Sequence, residues 1–129
     1  MGGVVRSDPL VLVVDDEATV RQALERALRL EGFAVATAAD GLEALSAVAS
    51  KPPAVIVLDV TMPELDGWQT LERLRDLSEV PVLMYTGTTP TEEQFAQLRP
   101  ELDGYIRKPA RGPELTTLVD ELLVGHVPA

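Results

Sequence analysis

Short apolar segments of strand length alternate along this chain with longer segments of helical periodicity. The first apolar segment, residues 10–14 (LVLVV), is uninterrupted and rich in β-branched side chains, as expected for a strand buried on both faces. After it, apolar residues recur at intervals of three and four between Val20 and Leu28, which is the spacing of an amphipathic helix. Because this alternation continues with short connections, it predicts a parallel sheet covered by helices on both faces.

Turn-forming residues divide the chain into five units of a strand followed by a helix. The predicted strands cover residues 10–14, 33–38, 54–59, 80–86 and 104–107. The fourth helix, over residues 91–98, is weak because it lies between Pro90 and Pro100 and has few apolar residues. The last helix carries a continuous apolar stripe and is predicted to end at Gly125. We therefore predict an α/β fold with a doubly wound, five-stranded parallel sheet and five helices.

The composition predicts a single globular domain over residues 1–129, with a core at about 9–124 and short flexible termini. Of the 129 residues, 46% are hydrophobic, and the absence of cysteine excludes disulfides and thiolate metal sites. The chain lacks the pattern of a signal peptide, and its apolar runs are too short to cross a membrane, so we expect a cytoplasmic protein. A formal net charge of −10 disfavours direct binding to nucleic acid.

Polar residues stand at the ends of four of the predicted strands. Asp15 and Asp16 follow the first strand, Asp59 and Thr86 end the third and fourth, and Lys108 follows the fifth. The carboxyl ends of parallel strands lie at one edge of the sheet, so we expect these side chains to meet. Three carboxylates brought together repel one another by about 1 kcal/mol per pair in water. Because oxygen ligands suit a hard divalent cation, the sequence predicts a Mg²⁺ site.

Asp59 is the candidate nucleophile of this group. A carboxylate can attack a phosphoryl group to form an acyl phosphate, and a metal would hold the reacting oxygens together. Lys108 would add a second positive charge, and Thr86 would donate its hydroxyl group. Taken singly, these residues also have structural interpretations. The adjacent acids can cap a helix that begins near Glu17, the threonine suits a strand, and the lysine can be a solvated surface charge.

The ordered combination resembles the receiver domain of bacterial two-component response regulators, of the CheY-like type, across essentially the whole chain. The resemblance rests on the adjacent acids, the segment 59–67 (DVTMPELDG), Thr86 and the dipeptide Lys108-Pro109. Residues 39–45 also resemble the second helix of that family. The family has a flavodoxin-like (βα)5 fold and acts as a phosphorylation-dependent signalling switch, so the resemblance implies both for this chain.

The resemblance also implies a role for individual residues of the site. Asp59 would accept a phosphoryl group from a histidine kinase or a phosphotransfer protein. Asp16, Asp59 and the backbone carbonyl of Thr61 would hold Mg²⁺, and Asp15 would help through water. These assignments follow from the family motif and not from spacing or composition.

The switch residues are implied in the same way. Thr86 and Lys108 would bind the phosphoryl oxygens, and the Lys108-Pro109 peptide bond would be cis. Tyr105 would be the switch aromatic that turns inward when the threonine moves. The chain departs from the family at Ala110, where a bulky aromatic is common, and over residues 100–104, which replace a Gly-Ala-rich segment. These departures concern the output surface and not the phosphorylation site.

Several alternatives remain open from the sequence. We expect a signalling protein that is not an enzyme, although it would assist its own phosphorylation and dephosphorylation. A phosphatase or mutase of similar topology needs an acid two residues after the nucleophile, where this chain has Thr61. A phosphorylation-independent interaction module is a further alternative. The chain would be a stand-alone receiver, which Met1 favours, or part of a DNA-binding regulator or hybrid kinase, acting through a protein effector as a monomer or weak dimer without a membrane partner.

Overall fold

The computed structural model describes residues 8–124, which form one parallel sheet with helices on both faces. The strands are β1 (Leu10–Val14), β2 (Ala34–Ala38), β3 (Val55–Asp59), β4 (Val82–Thr86) and β5 (Gly104–Arg107). Their order in the sheet is β2-β1-β3-β4-β5, so the predicted doubly wound, five-stranded parallel sheet of flavodoxin-like topology is confirmed. The helices are α1 (Ala18–Leu30), α2 (Gly41–Ser50), α3 (Gly67–Leu77), α4 (Glu92–Gln97) and α5 (Gly112–Val124). The predicted helix end at Gly125 and most of the predicted flexible termini lie outside the described residues.

The predicted bounds of β1 and β5 match the observed ones, and those of β2, β3, β4 and α4 differ by one or two residues. Strand β4 begins at Val82 and not at Val80, because the Val80 carbonyl accepts a hydrogen bond of 2.9 Å from Arg75 Nη1 in the α3–β4 connection. Helix α4 is shorter than predicted, since Thr91 is its N-cap and accepts a hydrogen bond from the Gln94 amide. In both places a side-chain contact with the backbone sets the boundary.

Alternate residues of each central strand point into two separate cores. One face of the sheet packs against α1 and α5, and its strand residues include Val13, Val57, Leu83, Tyr85 and Ile106. The opposite face carries strand residues such as Leu58 and Met84, which pack with Trp68 of α3. Every residue of β3 and β4 is buried, as expected for strands covered on both faces. Trp68 and Met84 are thus core side chains.

A tight approach at Gly67 places the start of α3 against the end of β3. A Cβ atom at Gly67 would lie 2.4 Å from the backbone oxygen of Asp59, which is shorter than the van der Waals contact distance and would be a steric clash. The Gly67 amide donates to the Val60 carbonyl at 2.8 Å, and Asp66 caps the helix in a capping box with Gln69. Glycine is therefore required here for the loop after Asp59 to fold back into a helix.

A buried ion pair that the sequence does not reveal joins α3 to the α4–β5 connection. The Asp103 carboxylate pairs with the Arg75 guanidinium and accepts hydrogen bonds from the backbone amides of Val82 (3.0 Å) and Arg99 (3.1 Å). The side chain of Asp103 is fully buried and that of Arg75 is 12% exposed. Three segments of chain thus converge on one carboxylate, within the stretch 100–104 where the sequence departs from the family.

Replacing Asp103 by alanine is expected to lower the free energy of unfolding by about 3 kcal/mol or more, because it leaves the largely buried Arg75 guanidinium without its counter-charge and the amides of Val82 and Arg99 without their acceptor. The matched control is Glu79→Ala, which removes an exposed ion pair to Arg99 and should cost less than about 1 kcal/mol. Urea denaturation of both variants measures the difference. Equal effects would show that the Asp103 contacts add no more stability than a surface pair.

Candidate functional site

Three carboxylates meet at the carboxyl ends of β1 and β3. One oxygen atom from each of Asp15, Asp16 and Asp59 lies within 4.8 Å of the others. The register of the two strands explains the meeting, since Val14 and Leu58 are direct partners and the acids follow or end these strands. Asp15 and Asp59 are buried, whereas Asp16 is exposed. The convergence expected from the sequence is therefore present in the folded chain.

Burial dominates the electrostatics of the two inner carboxyls. It raises the pKa of Asp15 above 3.8, against a backbone hydrogen bond from Glu17 that lowers it, and the nearby charge of Asp59 raises it further. Burial also raises the pKa of Asp59 above 3.8 and outweighs the hydrogen bonds from Lys108 and from the Thr61 amide, which lower it. The charged forms of these two groups are thus held in an environment that disfavours them.

One oxygen of this cluster has no hydrogen-bond partner among the described residues. Oδ2 of Asp15 is buried and has no hydrogen-bond partner among the described residues, whereas its Oδ1 accepts the Glu17 amide at 2.9 Å. A buried, unpaired carboxylate oxygen beside two further acids is the donor set that a hard divalent cation favours. The residues present therefore fit Mg²⁺.

The helix-capping interpretation of the adjacent acids does not describe this structure. The N-cap of α1 is Glu17, whose side chain makes no capping hydrogen bond. Among the described residues, the Asp15 carboxylate accepts a hydrogen bond only from the amide of Glu17, ahead of the first helical residue, Ala18. The acids are thus oriented by the end of the strand and not by the helix that follows.

Lys108 reaches the same cluster from β5. Its ammonium donates to Oδ1 of Asp59 at 2.6 Å, and its side chain is 31% exposed. Burial lowers the pKa of Lys108, but the hydrogen bond and charge of Asp59 outweigh burial, so the pKa lies above 10.5. The Lys108-Pro109 peptide bond is cis. The Lys108 ammonium is thus hydrogen-bonded to the candidate nucleophile.

The hydroxyl group of Thr86 is engaged with its own loop. It donates to the Thr88 carbonyl at 2.9 Å and accepts the Thr88 amide at 3.1 Å. Arg107 of β5 contacts the same loop, through hydrogen bonds to the Gly87 carbonyl (3.4 Å) and the Thr89 hydroxyl (3.3 Å). Thr86 is thus at the predicted strand end, but its hydroxyl bonds to the β4–α4 loop in this structure.

The remaining predicted residues lie around this centre. Tyr105 is half-buried and packs edge-to-face on Phe95 of α4, with ring centroids 5.2 Å apart at an angle of 77°. Thr61 is exposed, and the use of its carbonyl as a metal ligand stays a prediction. The switch role of Tyr105 also stays a prediction.

One residue of the site was not identified from the sequence. Tyr85 ends the apolar run of β4, and the Lys108 ammonium lies 4.9 Å from the centroid of its ring. The pairing of β3 with β4 could have identified it, because Tyr85 is the direct register partner of Asp59 on the neighbouring strand. Side-chain alternation thus places an aromatic ring beside the candidate nucleophile.

Comparison with known proteins gives consistent matches over most of the chain. A family model described as the response regulator receiver domain matches residues 11–120. Transcriptional regulatory protein PrrA of Mycobacterium tuberculosis is 43% identical over 118 residues, covering 91% of this chain and 51% of that protein. Probable transcriptional regulator ycf27 of Porphyridium aerugineum is 40% identical over 113 residues, covering 88% of this chain and 47% of that protein. The chain thus spans about half the length of these relatives.

Solved structures agree with these sequence matches. Chemotaxis protein CheY4 of Vibrio cholerae superposes with a TM-score of 0.82 at 32% identity, covering 91% of this chain and all of that one. The receiver domain of Francisella response regulator 1452 gives a TM-score of 0.81 at 31% identity, covering 91% of this chain and 98% of that one. Among residues 8–124, no helix has the length and apolar character needed to span a membrane.

Asp15→Asn is expected to raise the free energy of unfolding of the metal-free protein at pH 7 by about 1 kcal/mol, because it removes one buried charge from a repulsive cluster. The native pKa values above 3.8 mean that native stability decreases as pH rises through them, so the gain should vanish in acid, where these carboxyls are protonated. Chemical denaturation at several pH values measures it.

The control for this prediction is Asp120→Asn, which removes the same charge from an exposed position of α5. It should change stability little at any pH. Added Mg²⁺ is expected to raise the melting temperature of the wild type and of Asp120→Asn, and to have a smaller effect on Asp15→Asn. A destabilised Asp15→Asn variant at neutral pH would contradict the account of the cluster.

Proposed function

Because the chain belongs to the response regulator receiver domain family, we propose that it is a phosphorylation-dependent signalling switch whose phosphoryl acceptor is Asp59. The observation that carries this proposal is the setting of that carboxylate. It is buried, lies 2.6 Å from the Lys108 ammonium and shares a cluster of oxygens with two further acids. Few structural roles need such a group, since each carboxylate at this edge adds to the repulsion.

The residues that would hold Mg²⁺ are Asp16, Asp59 and the carbonyl of Thr61, with Asp15 acting through water. Bound Mg²⁺ would neutralise charge on the phosphoryl oxygens during transfer. Asp15 adds negative charge to the site without an exposed face of its own, and its unpaired Oδ2 suits a hydrogen bond from a metal-bound water. Without a bound metal, the negative charge of these carboxylates would repel an anionic phosphoryl donor, so phosphoryl transfer would require the metal.

In the proposed reaction, an oxygen of Asp59 forms a bond to phosphorus while the bond from phosphorus to the donor nitrogen breaks. The departing imidazole of a phosphohistidine keeps the electron pair of that bond. Lys108, released from its contact with Asp59, would bind a phosphoryl oxygen, and the Thr86 hydroxyl would donate to another. The partner would therefore be a histidine kinase or a phosphotransfer protein.

The switch that we propose couples this event to the surface near α4. Phosphorylation would draw the Thr86 hydroxyl away from Thr88, so that the β4–α4 loop and the half-buried Tyr105 rearrange. The Tyr105 ring already contacts Phe95, a residue with 41% exposure, so movement of one ring would change the surface presented by the other. A protein effector would recognise that change.

We propose this role for the chain as a single cytoplasmic receiver domain over residues 1–129, acting as a monomer or weak dimer. The domain would assist its own phosphorylation and dephosphorylation and would not act on a separate metabolite. A phosphatase or mutase is disfavoured by Thr61, and a phosphorylation-independent module would not need the buried acids to face Lys108. Regulation of transcription, which the names of the relatives state, is a property of proteins about twice this length.

Incubation with a small phosphodonor and Mg²⁺ is expected to add one phosphoryl group to the wild type and none to Asp59→Asn, because the amide is not a nucleophile of this kind. Intact-protein mass spectrometry measures the addition. The matched control, Asp120→Asn, removes a carboxylate from the exposed face of α5 and should be phosphorylated normally. Labelling of Asp59→Asn to the wild-type extent, or no labelling of the wild type, would reject Asp59 as the acceptor.

Beryllofluoride with Mg²⁺ is expected to break the hydrogen bond from the Thr88 amide to the Thr86 hydroxyl. The loss of one net hydrogen bond should make exchange of that amide with solvent about fivefold faster, as measured by NMR. In Thr86→Val the Thr88 amide has no hydroxyl acceptor even before beryllofluoride is added, so beryllofluoride should change the exchange rate of that amide little. Unchanged exchange in the wild type, despite bound beryllofluoride, would contradict a movement of Thr86.

A further inference from the structure

The contact between Lys108 and Asp59 spans two strands. In the sheet order β3-β4-β5, Asp59 ends β3 and Lys108 follows β5, so the strand between them is β4. Two strand spacings amount to about 10 Å. The lysine side chain must therefore cross the end of β4 to place its ammonium 2.6 Å from the carboxylate.

The β4 residue under that crossing is Tyr85. It is the direct register partner of Asp59 on one side and of Ile106, two residues before Lys108, on the other. Partners in adjacent strands point to the same face of a sheet, and the residue two positions on returns to that face. Asp59, Tyr85 and Lys108 thus share the face covered by α1 and α5, where Tyr85 is a core residue with 8% exposure.

We propose that Tyr85 is a positioning residue for the phosphorylation site, its ring supporting the Lys108 ammonium against Asp59 through a cation–π contact. The ammonium lies 4.9 Å from the ring centroid, within the range in which the negative face of an aromatic ring attracts a cation. This inference deepens the proposed function and rests on it. An aliphatic side chain of similar bulk would fill the space but would offer the ammonium no partner.

The position of the ring is compatible with the small residue at Ala110. Tyr85 and Ala110 line one cleft of about 320 Å³, together with α1 residues that include Val20 and Leu24. A bulky aromatic at position 110, common in the family, would compete for this cleft. With alanine at position 110, the aromatic ring that lines this cleft is that of Tyr85, which belongs to the core.

The contact can be tested in the unphosphorylated protein by NMR. Protons held over the face of an aromatic ring resonate upfield, so the ε-methylene protons of Lys108 should be shifted upfield in the wild type and in Tyr85→Phe but not in Tyr85→Leu. Lys51, the other lysine of the chain, is exposed and supplies the reference shift within the same spectrum. Lys108 protons at the Lys51 position in the wild type would overturn the proposal.

The functional consequence is measured as the affinity for beryllofluoride in the presence of Mg²⁺. Tyr85→Leu should weaken binding about threefold to tenfold, and Tyr85→Phe should stay within about twofold of the wild type, because the ring face and not the hydroxyl makes the contact. Leu83→Val, on the same strand and face, controls for altered packing and should bind normally. If Tyr85→Leu does not fold, Tyr85→Met replaces it.

The outcomes separate this proposal from the proposed function. Normal binding by the aliphatic variants, or equal losses for Tyr85→Leu and Tyr85→Phe, would overturn the positioning role while leaving Asp59 as the acceptor. A wild type that shows the upfield shift but binds no beryllofluoride would overturn the phosphorylation hypothesis and, with it, any role of Tyr85 in that reaction.

Discussion

The structure of the site depends on the repulsion among carboxylates that the sheet brings to one edge. Asp15 and Asp59 are buried there, and the pKa of each is raised by burial. Of the three carboxylates, the ammonium of Lys108 is hydrogen-bonded only to that of Asp59, so it relieves part of the repulsion, and one oxygen of Asp15 has no hydrogen-bond partner among the described residues. Under the proposed function, a cation would neutralise the carboxylates that Lys108 does not reach, and Lys108 would then neutralise part of the charge of an anionic phosphoryl group.

The rest of the fold holds this edge in place from both sides. The register of β1, β3 and β4 fixes the strand ends, while Gly67 lets the chain after Asp59 return immediately into α3. At the opposite end of α3, the Asp103 carboxylate joins that helix to the start of β4 and to the α4–β5 connection. The start of β4 is thus held by the Asp103 carboxylate, and its end is held by pairing with β3. The loop after Thr86 connects this end to α4.

The sequence predicted the strands and the meeting of the acids because both follow from local patterns. Continuous apolar runs define buried strands, and the parallel topology then brings their carboxyl ends together. The Arg75–Asp103 pair could not be predicted, since it joins residues 28 positions apart in a connection without periodicity. The hydroxyl orientation of Thr86 is set by loop geometry, which its strand pattern does not contain. The contact of Tyr85 with Lys108 could not be predicted either, because an aromatic residue in an apolar strand indicates only a core position, and Tyr85 occupies a core position as well.

The alternation of β4 gives its last two residues separate tasks under the proposed function. Thr86 lies on the face that carries Met84 and Tyr105, whereas Tyr85 lies on the face of α1 and α5. A movement of Thr86 toward a phosphoryl group would therefore change packing on the α4 side without displacing the ring beneath Lys108. Because adjacent residues of a strand point in opposite directions, one strand end can hold the ammonium steady on one face while the other face rearranges.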